Sequence, residues 1–314
     1  MIPVIVIFAP TACGKTALVR NLFGKGSLSV FKDKAEIISA DSQAVYRKLN
    51  IGTAKPDEEE CREIPYHLIN LVEPEEQFGM GEWVPLCDKA CSEIWAKGKI
   101  PVVTGGTGFY IRNFILGMSG APVSVPEIRD NLKKRIKSEG NEALFAELTN
   151  IDPVYAAKIN VNDAVRICRA LEVYYSTGKT LSSYTMNAQP RKDFDFCTII
   201  LDRPRDELYQ RIDERVEQMF EKGLETEVKS LISSGYNSET AAMKAIGYRE
   251  FFQDYADVQE LKYNIKNNSH HYAKKQYTYM KGIPGEETFY AEDTASITAK
   301  ITEFMQKYAE SMYV

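Results

Sequence analysis

The segment from Ile2 to Thr16 reads IPVIVIFAPTACGKT and decides the fold of this chain. Its apolar part, Val4–Phe8, is rich in β-branched residues and predicts a buried strand, and a helix is predicted to follow at Ala17–Leu22. The loop between them matches the phosphate-binding pattern G-x-x-x-x-G-K-[ST], except that Ala9 replaces the first glycine. In such a loop, backbone N–H groups surround a phosphate and the lysine, here Lys15, reaches its outer oxygens. The segment therefore predicts a site for a pyrophosphate or a nucleotide.

The predicted phosphate loop is one continuous run of residues at the start of a helix. We expect the Thr16 hydroxyl to coordinate Mg²⁺. The alanine at position 9 is compatible with the loop as long as its φ angle is negative. The residues predicted to contact the phosphates are Ala9, Pro10, Thr11, Ala12, Cys13, Gly14, Lys15 and Thr16.

Strand and helix patterns alternate along the N-terminal third of the chain. Runs of β-branched residues at Glu36–Ala40 and Ile100–Thr104 predict two more strands, and the amphipathic segment Met80–Lys97 predicts a helix between them. This alternation is typical of a parallel sheet covered by helices on both faces, which binds ligands at the carboxyl ends of its strands. We therefore predict an α/β fold whose core is a P-loop parallel sheet like that of the nucleoside triphosphate hydrolases.

A long gap separates the third predicted strand from a fourth at Phe196–Leu201. The gap contains amphipathic helical patterns and predicts a helical insertion. The predicted organisation is an α/β core of residues 1–118 and 192–314, interrupted by an insertion of residues 119–191. After the fourth strand, we predict one long charged helix at Asp206–Ser233 and another helix at Gln259–Lys281.

The composition excludes two broad classes of protein. The longest apolar run has about half of the roughly 20 residues that a transmembrane helix needs, and it lacks the basic flank and cleavage site of a signal peptide. The six cysteines form no CxxC pair and are expected to be reduced thiols of a cytoplasmic protein. A net charge of −5 disfavours indiscriminate nucleic-acid binding but is compatible with a local basic RNA site. We therefore expect neither a membrane protein nor a secreted one.

The loops after the second and third strands carry polar residues that should meet the phosphate loop at one edge of the sheet. Asp41 follows the second strand and is suited either to hold a metal ion or to act as a general base. Asp202, after the fourth strand, is a second candidate for the metal. Thr107 lies in the glycine-rich turn after the third strand, where its hydroxyl is placed to contact a ligand.

A further stretch resembles a known family. Residues 39–56, SADSQAVYRKLNIGTAKP, are similar to the most distinctive motif of the tRNA dimethylallyltransferases, also called tRNA isopentenyltransferases. The family's phosphate loop reads GPTASGKT, from which Ala9 and Cys13 depart. The resemblance continues in the family's order to about residue 281 and covers nearly the whole chain. Its further segments are 66–69 (YHLI), 105–110 (GGTGFY), 166–173 (RICRALEV), 177–179 (TGK), 211–215 (RIDER), 223–225 (GLE), 245–250 (AIGYRE) and 272–276 (YAKKQ).

The resemblance implies a specific reaction. A dimethylallyl group moves from dimethylallyl diphosphate to the exocyclic amine of the adenosine adjacent to the tRNA anticodon (position 37). Asp41 is then expected to be the general base, and Arg215 a cation on the diphosphate. Thr16 is expected to hold Mg²⁺ at the leaving group, and Thr107 to contact the nucleotide. The implied partners are dimethylallyl diphosphate and the tRNA anticodon stem-loop, for a monomeric enzyme.

The resemblance also implies a set of RNA-contacting residues. Extruding a stacked adenosine costs roughly a few kcal/mol and needs contacts to RNA on both sides of it. Arg166 and Arg169 share a helix face, and the segment Lys274–Lys281 interleaves cations with aromatic residues. Tyr277 and Tyr279 in that segment are equally compatible with core packing and with base stacking. The residues expected to contact tRNA are Asp41, Ser42, Gln43, Ala44, Thr107, Arg129, Val165, Arg166, Ile167, Cys168, Arg169, Lys244, Gly247, Tyr248, Arg249, Lys274, Lys275 and Gln276.

Two other functions are weighed against this one. A P-loop ATPase or small-molecule kinase explains the phosphate loop, with Asp41 or Asp202 on Mg²⁺, but leaves the motif of residues 39–56 unexplained. A non-catalytic RNA-binding protein of the same fold is disfavoured because Lys15, Thr16 and Asp41 are all present. The histidines have no partners at metal-ligand spacing, so we predict no metal site built on them.

Overall fold

The computed structural model of the chain describes residues 1–122, 124–184, 189–285 and 287–309. It divides into two compact units. The first, here called the sheet unit, comprises Met1–Ile115 and Arg191–Val314, and the second, the helical unit, comprises Leu116–Pro190. The boundaries predicted from the sequence were 118/119 and 191/192.

The sheet unit is built on a parallel sheet. Its strands are β1 (Ile2–Phe8), β2 (Ala35–Ser39), β3 (Tyr66–His67), β4 (Ile100–Gly105), β5 (Phe194–Asp202) and β6 (Glu287–Tyr290), in the order β3-β2-β4-β1-β5-β6. Strand β1 is central, because Ile5 pairs with Val102 of β4 on one side and with Cys197 of β5 on the other. The predicted α/β class is confirmed. The carboxyl ends of β1, β2 and β4 lie side by side at one edge of this sheet.

Helices complete both units. They are α1 (Lys15–Phe23), α2 (Glu58–Glu63), α3 (Met80–Ala96), α4 (Gly108–Leu116), α5 (Pro126–Glu139), α6 (Asn141–Ile151), α7 (Pro153–Ala156), α8 (Ala164–Thr177), α9 (Arg205–Glu221), α10 (Leu224–Ser233), α11 (Val258–Met280) and α12 (Thr294–Gln306), with short 3₁₀ helices at Leu181–Ser183, Ala242–Lys244 and Arg249–Phe252. Within the described ranges, none of these helices is long and apolar enough to cross a bilayer.

Alternate residues of β1 pack on opposite faces of the sheet, as the two-residue period of a strand requires. Ile5 and Ile7 join a buried cluster with residues of α1, α9 and α12. Val6 and Phe8 join a second cluster with residues of α3 and α4. Both faces of the central strand are therefore buried, which fixes the position of the loop that follows it.

One predicted helix is wrong. The segment Asp206–Ser233 forms two helices, α9 and α10, that are separated at Gly223. Gly223 has a φ of 95°, in the left-handed region where a glycine commonly ends a helix. Strands β3 and β6 and helix α12 were not predicted. Strand β3 has only two residues and β6 is largely exposed, so neither carries a long apolar run.

The helical unit has a small apolar core of its own. Leu132 of α5, Leu144 of α6 and Leu171 of α8 are buried together. Helix α8 begins after Asp163, whose side chain accepts a hydrogen bond from the Arg166 backbone N–H. This core decides which residues of α8 are buried and which remain on the surface.

Candidate active site

The loops that follow β1, β2 and β4 surround a polar cleft in the sheet unit. A cavity of about 450 Å³ lies against the phosphate loop. Two further cavities, of about 640 and 270 Å³, share residues with it. Asp41, Thr53 and Arg215 line all three cavities. The structure thus brings together Lys15, Asp41 and Arg215, which are far apart in the sequence.

The phosphate loop tolerates alanine at its first position. Ala9 does not have a positive φ, and its side chain is buried in the sheet core. The left-handed conformation is adopted by Ala12 instead, with a φ of 61°. Lys15 turns back over the loop, where its Nζ donates hydrogen bonds to the carbonyl oxygens of Ala9 (2.8 Å) and Pro10 (3.1 Å). The departure from the glycine pattern therefore leaves the loop closed around Lys15.

Three cations lie around the phosphate loop. Burial lowers the pKa of Lys15 to about 8. Arg211 donates a hydrogen bond from Nε to the carbonyl oxygen of Ala12 at 3.0 Å. Arg215 makes no hydrogen bond or ion pair with the residues that the structure describes, and burial lowers its pKa although Asp41 opposes this effect. Because none of the three cations forms an ion pair with a carboxylate among the described residues, this arrangement is suited to an anion with several charges.

Asp41 is held by the backbone of its own loop. Its Oδ1 accepts hydrogen bonds from the N–H groups of Gln43 (2.8 Å) and Ala44 (3.3 Å). Its Oδ2 has no hydrogen-bond partner among the described residues. The next residue, Ser42, donates its backbone N–H to the Thr107 hydroxyl at 3.0 Å, which joins the loops after β2 and β4. Asp41 thus has a fixed orientation and one oxygen free to take a proton.

Gln276 of α11 connects the phosphate loop to the loop after β4. Its Oε1 accepts a hydrogen bond from Thr11 N–H (2.9 Å), and its Nε2 donates one to the Gly106 carbonyl oxygen (2.7 Å). Gln276 is only 3% exposed. A side chain at position 106 would collide with this amide, which explains the glycine there. The prediction that Gln276 contacts tRNA is therefore not supported, because both ends of its amide are already used inside the protein.

The loop that carries Thr53 is fastened from outside the cleft by Glu227 of α10. The Glu227 carboxylate accepts hydrogen bonds from the N–H groups of Asn50 (3.1 Å) and Ile51 (3.0 Å). It also accepts the Tyr248 hydroxyl proton at 2.6 Å. Tyr248 is fully buried, so its predicted role in contacting tRNA is corrected to one in positioning this loop.

Several of the residues predicted to contact tRNA line the smallest of the three cavities. They are Asp41, Ser42, Gln43, Lys244, Gly247 and Arg249. Gln43 Oε1 is buried and has no hydrogen-bond partner among the described residues, so it is available to a ligand. Ala44 is buried, in contrast, and lines the largest of the three cavities instead.

Asp202 is not part of this cleft. Its Oδ1 accepts hydrogen bonds from Arg203 N–H (2.7 Å) and from the Tyr277 hydroxyl (2.8 Å), and it lines none of the three cavities. Tyr277 is therefore a packing residue. The predicted alternative of Asp202 as a metal ligand is not supported, and no group of three or more His, Cys, Asp or Glu in the described residues could hold a metal ion.

Within the helical unit, the predicted RNA-contacting residues fall into two groups. Val165 and Arg166 are exposed, and Arg166 forms an ion pair with Asp163 at 3.3 Å. Ile167 and Cys168 are buried in the core of this unit, so their side chains are removed from the set expected to contact RNA.

Arg169 has an internal role in the helical unit. It forms an ion pair at 3.1 Å with Glu172, which is only 1% exposed, and donates a hydrogen bond to the Pro122 carbonyl oxygen. Glu172 in turn accepts a hydrogen bond from Val125 N–H at 2.8 Å. Arg129 is half-buried and lies 3.5 Å from the Ser124 hydroxyl. Arg169 therefore compensates a buried charge and is not freely available to RNA.

The chain matches the model of one protein family, the IPP transferases, over residues 44–282. The chain belongs to the IPP transferase family. A tRNA dimethylallyltransferase 1 from Trichlorobacter lovleyi is 40% identical over 309 residues, which cover 96% of this chain and 98% of that protein. A tRNA dimethylallyltransferase from Protochlamydia amoebophila is 38% identical over 90% of this chain and 82% of its own length.

Solved structures of similar proteins agree with this membership. The full-length tRNA isopentenylpyrophosphate transferase from Bacillus halodurans has a TM-score of 0.66 and 30% identity, with all of both chains covered. A eukaryotic dimethylallyltransferase acting on tRNA has a TM-score of 0.75 and 25% identity, and the match covers 96% of this chain and 77% of that one. The resemblance read from the motifs is therefore confirmed.

In this chain, sequence reasoning missed two residues of the cleft and one residue that holds a cleft loop from outside. Thr53 lies inside the recognised motif but was given no role, although it lines all three cavities. Arg211 was quoted in a motif without being assigned to the phosphate loop that it contacts. Glu227 lies just outside a quoted motif, and its contact with residues 50–52 spans more than 170 positions of sequence. No local pattern could have indicated that contact.

Proposed function

We propose that this protein is a tRNA dimethylallyltransferase that modifies the exocyclic amine of the adenosine adjacent to the anticodon. The observation that carries this proposal is that Asp41 and Arg215 line the same three cavities as the phosphate loop. A base and a diphosphate-binding cluster of cations are thus within one cleft. The names of the relatives, all tRNA dimethylallyltransferases, support the same substrate pair.

The reaction divides between two sides of the cleft. Lys15, Arg211 and Arg215 would bind the diphosphate and stabilise the negative charge that grows on it as the allylic C–O bond breaks. The adenosine amine forms the new C–N bond and loses a proton, which Asp41 Oδ2 accepts. Because Oδ1 is held by two backbone N–H groups, the proton-accepting oxygen has a defined position.

The protein oxygen offered by Thr16 would bind Mg²⁺ only together with oxygens of the substrate. Thr16 is exposed at the start of α1 and lines the cavity, and it offers one hydroxyl oxygen. Mg²⁺ commonly binds through one or two protein oxygens, the phosphates of a substrate and water. Thr16 would therefore hold an ion that the diphosphate brings, and this ion would neutralise charge on the leaving group.

The RNA site is proposed for the accessible residues of the predicted set. These are Ser42, Gln43, Thr107, Arg129, Val165, Arg166, Lys244, Arg249, Lys274 and Lys275, together with Gly247, which is buried but lines the smallest cavity. Lys274 and Lys275 are both exposed on α11. We further propose that the protein acts as a monomer in the cytoplasm.

The kinase or ATPase alternative is less favourable because such enzymes need a carboxylate that holds Mg²⁺ in addition to the base. Of the two carboxylates considered for these roles, Asp41 lines the cleft and Asp202 lies outside it, bonded to Tyr277. Incubation of the protein with bulk tRNA and either labelled dimethylallyl diphosphate or labelled ATP separates the functions. Label from the dimethylallyl group should enter RNA, and hydrolysis or transfer of the ATP γ-phosphate without prenylation would contradict the proposal.

The base is tested with Asp41→Asn. The asparagine oxygen can still accept the two backbone hydrogen bonds, so the loop should keep its shape. The variant should bind RNA and diphosphate as the wild type does, but turnover should fall about 10²–10⁴-fold because the base is lost. The matched control is Asp202→Asn, which changes a carboxylate outside the cleft and should retain turnover. Wild-type turnover in Asp41→Asn would assign the base elsewhere.

A further inference from the structure

Two aromatic side chains are exposed beside the cleft. Phe109 is 44% exposed and Tyr279 is 38% exposed, and their ring centroids are 6.5 Å apart in an edge-to-face arrangement. Phe109 lies two residues after Thr107, whose hydroxyl is bonded to the Asp41 loop. Phe109 therefore directly follows the loop that borders the proposed adenosine site, and Tyr279 approaches it from α11.

Helix α11 leads from the cavity to this aromatic pair. Tyr272, Gln276 and Tyr279 are spaced at i, i+4 and i+7 and so share one helix face. Tyr272 and Gln276 line the cavity at the phosphate loop. Tyr279 continues the same face beyond them, while Tyr277 turns to Asp202. The structure thus separates two tyrosines that the sequence left equivalent.

Cations flank the aromatic pair. Arg112 lies one turn after Phe109 on α4, and its side chain is close to Gly282, just beyond the end of α11. Its Nε is buried and has no hydrogen-bond partner among the described residues. Lys275 lies one turn before Tyr279, is exposed, and makes no ion pair within the described part of the chain. Aromatic faces next to unpaired cations are typical of surfaces that bind single-stranded nucleic acids.

We propose that Phe109 and Tyr279 form a stacking platform for the unpaired nucleotide that neighbours the target adenosine, with Arg112 and Lys275 meeting its phosphates. This inference rests on the proposed function. Extrusion of one base removes a stacking partner from its neighbour, and an aromatic ring can replace that partner. Every base has a face that stacks, so the platform contributes affinity for an open loop and not for a particular base.

The test measures the dissociation constant of a fluorescent anticodon stem-loop RNA by anisotropy. Phe109→Ala and Tyr279→Ala should each weaken binding by about 5- to 150-fold, the usual range for loss of one base–aromatic contact. Tyr279→Phe keeps the ring and should bind as the wild type does. Tyr263→Ala is the matched control, because Tyr263 is a 63% exposed tyrosine on the same helix. Affinity for dimethylallyl diphosphate should be unchanged in all of them.

A double-mutant cycle distinguishes stacking from an indirect effect. The same RNA is prepared with an abasic site at the nucleotide on either side of the adenosine. At one of these positions, the losses from the abasic site and from Tyr279→Ala should be non-additive, since both remove the same contact. Full additivity at both positions, or wild-type affinity of both alanine variants, would overturn the platform.

Different results contradict the platform and the proposed function. Prenylation of the stem-loop by the wild type is measured in the same samples. Absence of prenylation contradicts the proposed function, whereas the affinity cycle decides the platform with or without turnover. A protein partner on this surface would leave RNA affinity unchanged in the variants and would likewise overturn the proposal.

Discussion

The clamp formed by Gln276 is the feature of this site that a single substitution tests most directly. Gln276→Met keeps a similar side-chain volume but removes both polar ends of the amide. The Thr11 N–H and the Gly106 carbonyl oxygen then lose their partners at 2.9 and 2.7 Å. The phosphate loop and the loop after β4 are no longer joined through α11.

The size of the effect follows from the surroundings of these two groups. A backbone group left unpaired in the interior costs about 1–3 kcal/mol, so two groups would cost about 2–6 kcal/mol if both stayed dry. Thr11 and Gly106 both line the cavity, however, so water can replace part of each bond. We therefore expect the free energy of unfolding of the sheet unit to fall by about 2–3 kcal/mol. Inorganic diphosphate should bind about tenfold more weakly, because the loop must be ordered on binding.

Urea unfolding followed by tryptophan fluorescence measures the free energy of unfolding. The two tryptophans of the chain, Trp83 and Trp95, both lie in α3, so the signal reports on the sheet unit. Calorimetric titration with inorganic diphosphate measures the affinity for diphosphate. Gln253→Met is the matched control, because Gln253 is exposed and its replacement should change stability by less than about 0.5 kcal/mol.

The reasoning is refuted if Gln276→Met behaves as Gln253→Met does in both measurements. A loss of stability without a loss of diphosphate affinity would show that the clamp supports the core but does not order the phosphate loop. Weaker diphosphate binding at unchanged stability would show that the clamp orders the phosphate loop but does not support the core. Only the combined loss agrees with a residue that fastens the two loops to each other.

Three further predictions concern charges. The pKa of Lys15 is lowered to about 8 by burial, and a bound diphosphate should raise it, so binding should take up a proton above pH 8 and weaken as the pH rises. Calorimetry in buffers of different ionisation enthalpy should show this uptake in the wild type but not in Lys15→Arg; equal uptake in both would exclude Lys15. Arg166→Gln should weaken stem-loop binding and reduce the salt slope by about 0.7–0.9. Arg169→Gln should instead destabilise the helical unit by about 1–3 kcal/mol, seen as faster hydrogen exchange, because Glu172 loses its partner. An unchanged salt slope in Arg166→Gln would remove α8 from the RNA site.

The sequence by itself determined the strand, phosphate loop and helix at the N-terminus and the α/β class. These features depend on short-range patterns, because β-branched runs, loop glycines and helical periods act over a few residues. The motif of residues 39–56 likewise identified the family without any structure. Asp41 and Lys15 could be placed at one edge of the sheet because parallel strands present their carboxyl ends together.

Only the tertiary structure decided which face each residue presents. Tyr277 and Tyr279 differ by two positions on one helix, yet the first bonds to Asp202 and the second stands exposed beside Phe109. Gln276 reads as part of a basic RNA-binding segment until its partner at Thr11, 265 positions away, is known. Helical spacing states which residues share a face but not what that face meets, since this depends on how elements distant in sequence pack together. The roles of these residues were therefore set by long-range packing.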